Sequence, residues 1–123
     1  MKHNQSLEDY LESILTLASE SQVVHRIDVA KKMNVSQAAV NKAVKILIDK
    51  DFVYEDGKHL YLTESGKTYA EAVYERHCVI RQFLTALGVN LACAEQDACN
   101  LEHLVSDETF SAMKKFLKNK NIS

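Results

Sequence analysis

The chain has 123 residues, of which 46% are apolar and 26% charged, the balance of an ordinary globular protein rather than a disordered or fibrous one. No apolar run approaches the ~20 residues that cross a bilayer, and the polar start Met1-Lys2-His3-Asn4-Gln5 runs straight into an amphipathic stretch, unlike a secretory leader. A formal net charge of −2 argues only weakly against nucleic acid, and three cysteines without framework spacing suit a reducing cytoplasm.

With no proline and three glycines, the chain favours helices joined by short turns. Leu7, Leu11, Ile14, Leu15 and Ala18 recur at helical spacing and predict a first helix over about 7–19, capped by Ser6. A second helix is expected over 27–33, stopped by Asn34. Ser36 then caps a third, whose buried stripe is Val40, Val44, Leu47 and Ile48. The period changes to that of strands in Phe52-Val53-Tyr54-Glu55 and His59-Leu60-Tyr61-Leu62, with Asp56-Gly57 as the hairpin signal between them. Thr63 caps a long helix that runs to about Leu87 and ends at Gly88. A fifth helix covers 93–104. Ser106 caps a last one that fades into Lys118-Asn119-Lys120-Asn121.

Two short helices, a tight turn and a hairpin describe a winged helix-turn-helix, whose second helix enters the major groove by its N-terminal residues. Those residues are Ser36, Gln37, Ala38, Asn41 and Lys42. Asn and Gln pair with adenine edges, Lys with guanine or phosphate, and small alanines permit close approach. Lys45 and the wing-tip Lys58 suit the phosphate backbone. Between 26 and 50, six Lys and Arg side chains stand against two aspartates, a local net charge of +4. Used for protein contacts instead, this face would be apolar; here it is polar, small and basic.

Between 91 and 110 five carboxylates occur with no Lys or Arg. Within that segment Cys99, Glu102 and His103 stand at i, i+3 and i+4, which places them on one helix face. Thiolate, carboxylate and imidazole are transition-metal ligands. Asp9-x-x-Glu12 and His77 offer more donors. Each has a plainer explanation: a capping box for Asp9, a solvated surface for Glu12, a core histidine for His77, a small core residue for Cys99.

The chain resembles the metal-dependent repressors of the diphtheria toxin repressor and manganese transport regulator type. The resemblance runs through Ser6-Leu7-Glu8-Asp9-Tyr10-Leu11-Glu12, Leu62-Thr63-Glu64-Ser65-Gly66-Lys67, Arg76-His77 with Leu87-Gly88-Val89, and Ala98-Cys99-Asn100-Leu101-Glu102-His103. It implies a mainly α protein: a winged helix-turn-helix over 1–63, then an α-helical metal-binding and dimerisation domain over 64–123. It implies a cytoplasmic repressor, not an enzyme, with no membrane or small-molecule substrate as partner. Loaded with divalent metal, it binds a palindromic double-stranded DNA operator as a homodimer. The implied ligands are Asp9, Glu12, His77, Cys99, Glu102 and His103. Asp9 is the manganese-type choice and Cys99 the iron-type one, so Mn2+ or Fe2+ is expected, with Zn2+ or Co2+ as substitutes in vitro. Arg81 stands where the iron-type branch has a carboxylate of an ancillary site. A hydrolytic metal site is the enzymatic rival, and oxidation sensing through Cys78, Cys93 or Cys99 the regulatory one.

Overall fold

The computed structural model describes residues 5–21 and 23–122. Its elements are α1 (Gln5–Glu20), α2 (Arg26–Met33), α3 (Gln37–Asp49), β1 (Val53–Asp56), β2 (His59–Leu62), α4 (Glu64–Ala86), α5 (Leu91–Leu101) and α6 (Asp107–Ile122). No described helix is long and apolar enough to cross a membrane. The chain forms two compact units, one ending at Ala72 and the other beginning at Val73, so the division falls inside α4.

The first unit is a helix-turn-helix with a two-stranded wing. Its core gathers Leu11 and Ile14 of α1, Val29 of α2, Val40, Ala43, Val44 and Leu47 of α3, and Val53 and Leu60 of the hairpin. Each Val, Leu and Ile among them contributes roughly 1.5–3 kcal/mol of burial. Ala43 is buried in the α3 stripe, and Ile48, expected there, is 39% exposed. On α1, Ala18 is likewise exposed, while Tyr10 and Glu8 are buried. Tyr69 of α4 donates to the Glu8 carboxylate at 2.6 Å. Burial first, and then that carboxylate, push the Tyr69 phenol up to about 12.

Local chemistry sets most of the boundaries. Asn34 takes φ 54, and Val35 N–H reaches back to the Ala30 carbonyl, closing α2 in the left-handed way that Asn tolerates. Ser36 Oγ accepts from Ala39 N–H, and Ser106 Oγ from Thr109 N–H. Gly88, at φ 105, ends α4 with Val89 N–H on the Leu84 carbonyl. Three expectations shift. The α1 helix is already formed at Gln5, so it starts before Ser6 rather than after it. Asp56 belongs to β1 and pairs with His59, leaving Gly57-Lys58 as the turn. The Lys118–Asn121 tail is helical, within an α6 that extends to Ile122.

The start of α4 lies tightly against the corner after α3. Thr63 N–H donates to the Phe52 carbonyl at 3.0 Å. Thr63 Oγ1 and Ser65 Oγ both donate to the Asp51 carbonyl, and Gly66 N–H donates to Thr63 Oγ1. A Cβ on Gly66 would stand 1.8 Å from the Phe52 carbonyl oxygen, which explains the glycine in Leu62-Thr63-Glu64-Ser65-Gly66-Lys67. Asp51 occupies the left-handed region at φ 63, where a side chain costs energy that glycine avoids. Gly66→Ala is therefore expected to lose about 2–3 kcal/mol of stability and Asp51→Gly to gain about 0.5–1 kcal/mol, both read from urea unfolding. Unchanged stability in Gly66→Ala would show that this turn does not rest on Phe52.

Candidate metal centre and nucleic-acid interface

The second unit carries the densest cluster of titratable side chains. The stripe Val73, His77, Ile80 of α4 is buried, and an imidazole in such a stripe must find partners. His77 Nε2 lies 2.7 Å from Glu95 Oε1 on α5, and Glu95 Oε2 accepts from Arg81 at 3.2 Å. The His77 ring first, and then the Arg81 guanidinium, hold Glu95 below the usual carboxylate range. Arg81 in turn is held above its ordinary value by Glu95.

The other ring nitrogen faces the predicted ligands. His77 Nδ1 is 3.5 Å from Glu102 Oε1 and 3.9 Å from Cys99 Sγ. One donor atom from each of His77, Cys99 and Glu102 lies within 4.8 Å of the others. Donors about 2.0–2.3 Å from one tetrahedral ion stand about 3.4–3.7 Å apart. The set is thus nearly the size of a shared cation's coordination sphere. Glu102 and His103 are buried and Cys99 is exposed, which removes small-core packing as the explanation of Cys99. None of the three cysteines is in a disulfide.

One expectation about this run changes. The α5 helix ends at Leu101, with Glu102 as its C-cap and His103 in the turn beyond, so the three ligand types do not share a full helical face. Cys99 and Glu102 still approach His77 together, because Glu102 keeps helical φ −57 and ψ −26. His103 Nε2 sits 3.8 Å from Glu102 Oε1. The helix stops because buried Arg76 draws the following loop onto α4. Its Nη1 donates to the Val105 carbonyl at 2.6 Å and to the Glu102 carbonyl at 3.4 Å, and Nη2 meets Asp107 at the start of α6. Its guanidinium carbon lies 5.0 Å from the Phe110 ring centre. Asp9 and Glu12 lie half-buried, one turn apart, on α1 in the first unit.

Arg76, Glu95 and Arg81 are the residues that the sequence reading did not place here. A signal existed: Glu95 stands one helical turn before Cys99, and Arg81 one turn after His77.

The residues expected to face a DNA groove form a second candidate surface. Gln37, Ala38, Asn41, Lys42 and Lys45 are all exposed on α3, Ser36 is exposed at its N-cap, and Lys58 is exposed at the wing turn. Between the α3 start and the wing opens a cleft of about 480 Å³, lined by Arg26, Gln37, Glu55 and Lys58 among others. Arg26 forms a two-point ion pair with Glu55 of β1, through Nε at 2.7 Å and Nη2 at 2.5 Å. The pair raises the Arg26 pKa and lowers that of Glu55.

Residues 3–60 match the N-terminal DNA binding domain of iron dependent repressors. Residues 63–122 match the metal binding and dimerisation domain of the same proteins. The transcriptional regulator MntR of Salmonella typhimurium is 34% identical over 118 residues, which is 95% of this chain and 75% of that protein. An HTH-type transcriptional regulator of Methanocaldococcus jannaschii is 35% identical, with 94% of each chain covered. The solved structure of the manganese regulator SloR superposes with a TM-score of 0.81 at 34% identity, over 96% of this chain and 55% of that one. The chain thus spans about half the length of that structure.

At alkaline pH the neutral His77 ring is expected to carry its proton on Nε2, where the Glu95 carboxylate accepts it, leaving Nδ1 a lone pair toward Cys99 and Glu102. Long-range 1H–15N correlation spectra report that tautomer directly. A proton on Nδ1 instead would contradict the arrangement.

Proposed function

The chain belongs to the iron-dependent repressor family of metal-dependent DNA-binding regulators, and on that premise we propose that it represses transcription as a homodimer when divalent metal occupies the His77–Cys99–Glu102 cluster. The observation that carries this reading is the convergence of three chemically different donors, one of them on a buried imidazole whose far side is already held by Glu95. The family resemblance adds Asp9, Glu12 and His103 to the proposed ligands. The donor chemistry fits a transition metal better than calcium or magnesium, since thiolate and imidazole prefer softer ions.

When bound, a divalent cation would offset the charges of a thiolate and a carboxylate held close together. His77 would present Nδ1, Glu102 a buried carboxylate and Cys99 an accessible sulfur; each must be deprotonated to bind, so occupancy is expected to fall as pH falls. Ligation by these residues would favour a DNA-binding arrangement to the extent that they hold the ion more tightly in that arrangement than in the other. On the DNA side, α3 presents its short polar residues to base edges while Lys45 and Lys58 meet phosphates. Self-association is supported by large apolar side chains left in water on the second unit: Leu87, Leu91, Leu104 and Phe116 are 46–74% exposed. The similar structure SloR is a manganese regulator. For this chain we propose manganese(II) or iron(II), with Cys99 weighting the choice toward iron(II), in a reducing cytoplasm that keeps the thiol available. The operator is proposed to be a palindrome whose half-sites lie about one helical turn, ~34 Å, or a multiple apart.

Glu102→Ala and His77→Ala are each expected to lose metal-dependent operator binding while the fold survives. Cys99→Glu is expected to keep it and to move its metal preference toward Mn(II). Anaerobic DNA titrations with Mn(II) and Fe(II) measure all three. Unaltered metal dependence in both alanine variants would refute the ligand assignment, and an unchanged Mn(II) to Fe(II) ratio in Cys99→Glu would remove Cys99 from it. A response to peroxide in the presence of chelator would favour oxidation sensing instead.

A further inference from the structure

We propose that Arg26 is a specificity-determining residue that fixes the Asn41 amide so that Asn41 reads guanine and rejects adenine. The proposal rests on α3 being the DNA-reading helix.

Arg26 Nη1 donates to Asn41 Oδ1 at 3.0 Å. A guanidinium has donors only, so the Asn41 atom facing it must be the carbonyl oxygen; the alternative amide orientation would oppose two donors. Gln37 Nε2 donates to the same oxygen at 3.3 Å. The two lone pairs of Oδ1 are thereby engaged. Arg26 is itself anchored, because Glu55 on the wing grips Nε and Nη2 at 2.7 and 2.5 Å and leaves Nη1 for Asn41. Such two-point ion pairs fix direction as well as distance.

Adenine recognition by an asparagine needs both halves of the amide: the oxygen accepts from N6, and the NH2 donates to N7. With Oδ1 engaged, Asn41 offers the groove only the two N–H donors of Nδ2. Guanine presents two adjacent acceptors, N7 and O6, that match two donors. An asparagine without the Arg26 contact turns its amide by half a rotation and serves either base. Arg26 thus acts on base choice through Asn41, without touching DNA.

The test is selection of binding sites from a random duplex pool by the metal-loaded protein. In the wild type, the position whose preference disappears in Asn41→Ala is expected to favour guanine over adenine by about tenfold. Arg26→Met, which removes every donor, is expected to admit adenine at that position alone, bringing the ratio to within about twofold. Asn41→Asp keeps the oxygens for Arg26 and Gln37 but has no donor, so it loses guanine there. Because Asn41 is exposed, this variant keeps the proposal testable even if Arg26→Met folds poorly. A purely structural role for Arg26 would weaken every position alike. Adenine at the Asn41-dependent position in the wild type, a guanine preference untouched by Arg26→Met, or no position responding to Asn41→Ala would each overturn the proposal while leaving α3 as the reading helix. A pool that yields no preferred site would overturn both.

Discussion

The contact between His77 Nε2 and Glu95, 2.7 Å long, is the interaction on which the second unit's chemistry depends. An imidazole in the buried stripe of α4 is tolerated only with a partner for its N–H, and a partner on one nitrogen decides what the other can do. Glu95 takes the Nε2 side, which turns Nδ1 toward Cys99 and Glu102. Arg81 then holds Glu95 in place and ionised. The donor cluster is therefore ordered by contacts within the chain itself, which would lower the ordering cost of the metal binding proposed for it. Arg76 plays the matching part for the backbone: it gathers the carbonyls of Glu102 and Val105 just beyond the end of α5.

The first unit repeats the same logic with a different payload. An arginine clamped by a carboxylate orients a third side chain: Glu55 holds Arg26, and Arg26 holds Asn41. The wing and α2 are joined through this pair, and Arg26 carries the link on to Asn41 of α3. The two-stranded wing, too small to be stable by itself, gains from it. In both units an ion pair of modest intrinsic worth matters through the geometry it imposes on its neighbour.

Much of this was legible in the residues, and the boundary between legible and hidden is physical. Caps are local chemistry: Ser36, Thr63, Ser106, Asn34 and Gly88 act within a turn of their own position, and each marks the helix end that its type suggests. Likewise His77 in an apolar stripe and the Cys99–Glu102 spacing identify the cluster without knowledge of the fold. What stayed hidden depends on distant partners. Glu95 meets His77 across 18 residues, Arg26 meets Glu55 across 29, and Tyr69 meets Glu8 across 61. No periodicity announces such pairs. The early end of α5 is the instructive case, since its sequence continues to look helical and only a guanidinium from another helix stops it. The one-residue slip of the wing turn has a smaller cause: Asp56 pairs with His59, and Gly57 supplies the positive φ at the next position.

The central claim is that Cys99, His77 and Glu102 bind one cation together, and cobalt(II) absorption tests it most directly. An anaerobic titration of the wild type with Co(II) is predicted to produce a thiolate-to-cobalt charge-transfer band in the near ultraviolet that saturates at one ion for this cluster and is absent in Cys99→Ser. An identical spectrum in Cys99→Ser would contradict the claim, because the sulfur would then lie outside the coordination sphere.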